Sequence, residues 1–104
     1  MMNNTTMTKE PATLTPLFKL GRLAMTPGAR DAMIEASQSP AMFLCRHISG
    51  DWGDCGPEDA AANDYALGRE LRIFSVYHTT AGVKLWLITE ADRSASTLLL
   101  PSEY

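Results

Sequence analysis

The chain has 104 residues, 45% hydrophobic and 20% charged, with 12 Asp+Glu against 9 Lys+Arg for a formal net charge of −3. That length fits a single hydrophobic core and excludes a second domain. The absence of any apolar run of about 18 residues excludes a membrane-spanning helix, and the polar start, Met1 to Glu10, argues against a signal peptide and for a cytoplasmic protein. The acidic balance excludes a general nucleic-acid coat, which rests on clustered Lys and Arg, while leaving room for a small catalytic cleft.

Residues 1–16 are rich in Thr, Asn and Pro without apolar periodicity, which predicts a disordered arm ahead of a single domain over 17–104. Leu17 to Met25 alternates weakly and fits a strand with a bend or bulge at Gly21. Thr26-Pro27 is an N-cap followed by proline at the first helical position, opening a helix to about Ser37. Ser39-Pro40 repeats the signal. The second, short helix puts Leu44 and Ile48 on one stripe and Phe43 and His47 on the next, and the Gly50-Asp51-Trp52-Gly53 turn ends it. A third helix is predicted from Pro57 to Leu67, capped by Gly68.

Beyond Gly68 the apolar period changes to two. Strands are predicted over Leu71 to Thr79, Val83 to Glu90 and Ala95 to Leu100, joined by the hairpin loop Thr80-Ala81-Gly82 and a turn over Ala91 to Ser94, and stopped by Pro101. The fold class is therefore α+β, with two to three N-terminal helices packed on one face of a C-terminal antiparallel β-meander of three to four strands. In the middle strand Leu85, Leu87 and Thr89 point one way and Trp86, Ile88 and Glu90 the other, so both faces need cover. The helices serve one; the N-terminal segment, Pro101 to Tyr104, a second copy or a foreign partner serves the other.

The charge is unevenly placed. Residues 1–49 carry +2, residues 50–70 carry −5 and residues 71–104 are neutral. The acidic stretch holds Asp51, Asp54, Glu58, Asp59, Asp64 and Glu70. It reads either as a solvated loop and helix start, with Glu58 and Asp59 at the positive end of a helix dipole, or as a patch attracting a basic partner. Trp52 in the adjoining turn is either the plug of a small core or a contact aromatic, and Asn63 is placed as a buried amide holding the Gly50 to Gly53 turn.

Phosphate-binding glycine loops, dinucleotide fingerprints and serine nucleophile elbows are all missing, so no cofactor is expected. Cys45 and Cys55 lack metal-site spacing and read as free thiols, and no metal is expected. What remains is a polar set. His47 closes the second helix, and Arg72, Ser75, Tyr77, Thr89, Arg93 and Thr97 lie on or beside the strands. Metal-independent RNA cleavage needs a base for the 2′-hydroxyl, an acid for the leaving oxygen and a cation for the phosphorane, and His47, Tyr77 or Ser75, and Arg72 or Arg93 supply those types. The same residues also serve a structural network, with Thr89 and Thr97 as a cross-strand pair.

Taken together, His47-x-x-Gly50-Asp51-Trp52-Gly53-Asp54, Asn63, Arg72-Ile-x-Ser75-x-Tyr77, Lys84-x-Trp86-x-Ile88-Thr89-Glu90-Ala91-Asp92-Arg93-Ser94 and Leu100-Pro101-x-Glu103-Tyr104 resemble a family of small proteins encoded on plasmids and integrative elements. The resemblance covers about Leu20 to Tyr104. It implies a role in mobile-element maintenance, transfer or resistance to host defence and carries no activity with it. The order of elements also resembles the barnase, colicin and RelE-like ribonuclease fold, which is an analogy of architecture. The expectation is a non-enzymatic accessory or regulatory protein that binds a protein partner through Asp51, Trp52, Asp54, Glu58, Asp59 and Trp86, with a homodimer on the exposed sheet face and an RNA-cleaving enzyme as the alternatives.

Overall fold

The computed structural model describes residues 15–104, so the arm predicted over 1–16 lies outside the described residues except for its last two positions. Strand β1 (Arg22–Met25) leads into helices α1 (Pro27–Glu35), α2 (Ala41–Ile48) and α3 (Pro57–Ala66). Strands β2 (Ile73–His78), β3 (Lys84–Thr89) and β4 (Ala95–Leu99) follow, with a 3₁₀ turn at Pro101–Glu103. Among the described residues no helix is long and apolar enough to cross a membrane.

Local signals explain the boundaries. Thr26 caps α1 by accepting from the Ala29 N–H, with Pro27 as the first helical residue. Pro40 rather than Ser39 occupies the cap position of α2, and Ser39 Oγ accepts from the Ala41 N–H at 3.2 Å. Pro57 opens α3, and Glu58 and Asp59 fill its first turn where the dipole favours anions.

The α+β class holds, but the sheet is mixed rather than a pure antiparallel meander. Its order is β1-β4-β3-β2, with β2–β3 and β3–β4 antiparallel and β1–β4 parallel. Three helices separate β1 from the meander, and that length of chain allows β1 to return alongside β4 in the same direction, which a hairpin cannot do. The predicted strand over Leu17 to Met25 shortens to its last four residues.

Period two then divides the sheet. Leu23, Met25, Ile73, Ser75, Tyr77, Leu85, Leu87, Thr89, Ser96 and Leu98 face the helices, while Phe74, Val76, Trp86, Ile88, Thr97 and Leu99 face outward. The main core joins Ala29, Ala32 and Met33 of α1 and Phe43 of α2 to Tyr77, Leu85, Leu87 and Leu98. A second cluster joins Trp52, Ala66 and Ile73, with Phe18, Ala60 and Leu67 against it.

The outer edge of β2 is sealed. Asn63 donates to Phe74 O at 2.6 Å and accepts from Phe74 N–H at 3.0 Å, copying a strand neighbour with one side chain. The 52–54 loop covers the next stretch, with Val76 N–H donating to Trp52 O and Asp54 N–H to Val76 O. Gly53 has φ of +73°, and a Cβ there would lie 1.9 Å from Val76 O, so only glycine allows this approach. Asn63 is thus a buried amide as expected, but it holds β2 rather than the Gly50 to Gly53 turn.

Candidate functional site

The strongest polar feature is a buried chain of side chains between α2 and the sheet. His47 ends α2 on its inward stripe, one turn beyond Phe43, and has no exposed surface. Its Nδ1 lies 2.6 Å from Ser75 Oγ on β2, and its Nε2 lies 2.9 Å from Thr89 Oγ1 on β3. Thr89 Oγ1 lies 2.6 Å from Ser96 Oγ on β4, and Ser96 donates to Leu20 O at 2.8 Å.

Proton bookkeeping orients the whole chain. Ser96 spends its one hydrogen on Leu20 O, so Thr89 donates to Ser96 and must accept from His47 Nε2–H. His47 Nδ1 is then the bare nitrogen, and Ser75 donates to it. Every member is satisfied with His47 neutral, and charging it would strand a donor. Burial, helped by the positive charge of Arg93, pushes its pKa down to about 4. Phe18 at 5.1 Å and Trp52 at 6.0 Å between ring centroids meet the imidazole edge-on and close it from solvent.

The remaining residues of the RNA-cleaving set do not join this cluster. Tyr77 is buried, stacks on Phe43 at 5.2 Å and donates to Asp51 O at 2.6 Å, and burial pushes its pKa up to about 12. Arg93, at φ of +62°, aims its guanidinium at the carbonyls of Ala66, Arg69, Leu71, Glu90 and Ala91, tying the end of α3 to the β3–β4 turn. Arg72 donates to Tyr104 OH at 2.8 Å. His47, Ser75 and Thr89 therefore converge, whereas Arg72, Tyr77 and Arg93 are each bound elsewhere.

Two expectations need correction. Trp52 is a core plug and not an exposed contact aromatic: it is 6% exposed, and its indole N–H donates to Asp64 at 2.9 Å. Thr97 is on the outer face, so the partner of Thr89 across the strands is Ser96. Ser96 and Phe18 were not legible as members of the cluster, because which hydroxyl faces the helices depends on the β3–β4 register.

The acidic residues of the stretch are exposed along its length, and three of their carboxylates are held by partners within the chain. Arg46 makes a two-pronged contact with Asp51, at 2.7 and 3.2 Å, which holds the Asp51 carboxyl below its ordinary range. Asp54 pairs with His78 at 2.8 Å, Asp64 holds Trp52, and Glu58 and Asp59 stay exposed at the start of α3.

The outer sheet face is the second candidate. Phe74 and Trp86 meet edge-on at 5.1 Å and Trp86 and Tyr104 at 5.7 Å, forming an aromatic row across β2, β3 and the C-terminal turn. Tyr104 is 74% exposed. Beside it a pocket of about 240 Å³ is lined by Arg72, Ile88, Glu90, Thr97, Leu99 and Tyr104. The turn over Pro101 to Tyr104 supplies part of the cover this face requires, as one of the sequence alternatives held. Comparison with protein-family models, with curated proteins and with solved structures finds no match.

Proposed function

We propose that this chain is a small, non-enzymatic accessory or regulatory protein that binds a protein partner on its outer sheet face, and that, following the plasmid-related resemblance, it serves a mobile genetic element. The observation that carries the reading is the row Phe74, Trp86 and Tyr104 with Arg72 at its end, on the one sheet face the helices leave free. Aromatic residues and arginine around a central apolar patch are the composition of binding hot spots. Exposed Asp54, Glu58 and Asp59 add a negative field on the β2 side that favours a basic partner.

Affinity capture with the wild-type chain, followed by mass spectrometry, tests this. Arg72→Ala with Tyr104→Ala, both exposed and away from the core, should abolish the captured band, and charge neutralisation at Asp54, Glu58 and Asp59 should weaken it. Capture unaffected by either change refutes the assignment of the face. The metal-independent ribonuclease is the weaker reading, since His47 has no surface with which to meet a phosphodiester. Chelator-resistant RNA cleavage lost in His47→Ala would restore it.

A further inference from the structure

The two edges of the sheet are treated in opposite ways. The β2 edge is closed by Asn63 and the 52–54 loop, whereas all four residues of β1 are exposed. Arg22 N–H donates to Ser94 O at 2.9 Å and Thr26 N–H to Leu98 O at 3.0 Å, so the even positions turn their backbone groups toward β4. Alternation then turns the N–H and C=O of Leu23 and Met25 outward. The edge is short, four residues, but it holds no proline or bulge, and its one charge, Arg22, lies at its start. Leu23 is 53% and Met25 38% exposed, although both are on the helix side of the sheet. They border a pocket of about 120 Å³ with Pro40, Leu44 and Leu98, which the helices leave unfilled.

We propose that β1 pairs antiparallel with β1 of a second copy of this chain about a two-fold axis at Ala24, joining two four-stranded sheets into one of eight. Two registers near the strand centre oppose outward-facing residues to each other, with the axis at Leu23 or at Ala24, and only the second keeps all the new backbone bonds within β1. It sets Leu23 against Met25 of the second copy and Met25 against its Leu23, giving four backbone hydrogen bonds. Ala24 then faces its own copy in the closely spaced pair, where a small side chain fits. Leu23 and Met25 meet across the axis above the unfilled pocket.

Charge complementarity selects a second copy over another extended chain. The same register sets Arg22 opposite Thr26 of the other copy, with both side chains on the outer face. Thr26 Oγ1 donates to the Glu103 carboxylate, whose other oxygen accepts from Gly28 N–H at 2.9 Å. Each Arg22 therefore reaches the other copy's Glu103, and among the described residues Arg22 makes no ion pair within its own chain. Antiparallel pairing brings the cationic end of one strand to the anionic end of the other, twice.

Sedimentation equilibrium and native mass spectrometry of the full chain between about 1 μM and 1 mM should show a monomer–dimer equilibrium. Leu23→Lys with Met25→Lys replaces exposed side chains without touching the β1–β4 bonds and should weaken dimerisation at least ~10-fold, as should Arg22→Glu, while circular dichroism stays that of the wild type. Hydrogen exchange gives an independent readout. The Leu23 and Met25 amides should be protected at high concentration and exchange freely on dilution. A monomer throughout the range, a dimer indifferent to these substitutions, or protection of both amides in the monomer, as when residues 1–14 occupy the edge, each overturns the proposal.

Discussion

Acidification should destabilise the fold through one residue. In the unfolded chain His47 titrates near 6.5, and in the folded chain its pKa falls to about 4. The folded state thus requires the neutral ring, and the unfolded state binds the extra proton first. His47 accordingly contributes no pH-linked loss above about 7, and stability then declines as pH falls from 6.5 to 4. A separation of roughly 2.5 pH units at 1.36 kcal/mol each comes to about 3 kcal/mol, a large share of the 5–15 kcal/mol typical of such domains. The carboxylates held low, Asp51 by Arg46, Asp92 by Ser94 and Glu103 by Thr26, lose their contribution from about pH 5 downward, so the decline between 6.5 and 5 is the part that belongs to His47.

Urea unfolding followed by tryptophan fluorescence at pH 7, 6, 5 and 4 measures the decline, with Trp52 beside the imidazole as reporter. His78→Gln in the background leaves His47 as the only imidazole among the described residues. His47→Gln retains a donor and an acceptor but cannot charge, so it should be less stable at pH 7 by about 1–3 kcal/mol and nearly flat from pH 6.5 to about 5. An equally steep decline in the glutamine variant, or a His47 ring resonance titrating near 6.5, refutes the argument.

Other outcomes follow from the same contacts. Asn63→Ala removes both bonds to Phe74 and should cost about 2–4 kcal/mol in urea unfolding, with faster exchange of the Phe74 amide. Gly53→Ala forces a Cβ onto Val76 O at positive φ and should lower stability by about 3 kcal/mol or more, read as a loss of melting temperature. Arg93→Ala leaves five carbonyls without their shared donor and should cost about 2–3 kcal/mol. Arg93→Lys should recover less than half of that, because an ammonium cannot span them.

Local chemistry was legible where it is local. Thr26-Pro27, Pro57-Glu58-Asp59 and the strand periods of 73–78, 84–89 and 95–99 place the helices and the meander from sequence alone, because caps, proline and alternation act within a few residues. The stripe of Phe43 and His47 was visible beside that of Leu44 and Ile48, but only the packing of α2 on the sheet turned the first of them inward. The parallel return of β1 beside β4 left no local trace, since its partners lie more than 70 residues away.

The same limit applied to the polar residues. Sequence supplied a histidine, two arginines, a tyrosine and several hydroxyls, which is the inventory of an RNA-cleaving site and of a structural network alike. Strand register decided between Ser96 and Thr97, and the packing of Phe18 and Trp52 decided that His47 is sealed. The acidic run was plain in the composition, yet only folding brought Arg46 to Asp51 and Asp64 to Trp52. Composition and spacing determined which groups this protein owns. Tertiary structure determined which of them water can reach, because exposure and pairing depend on residues far apart in the chain.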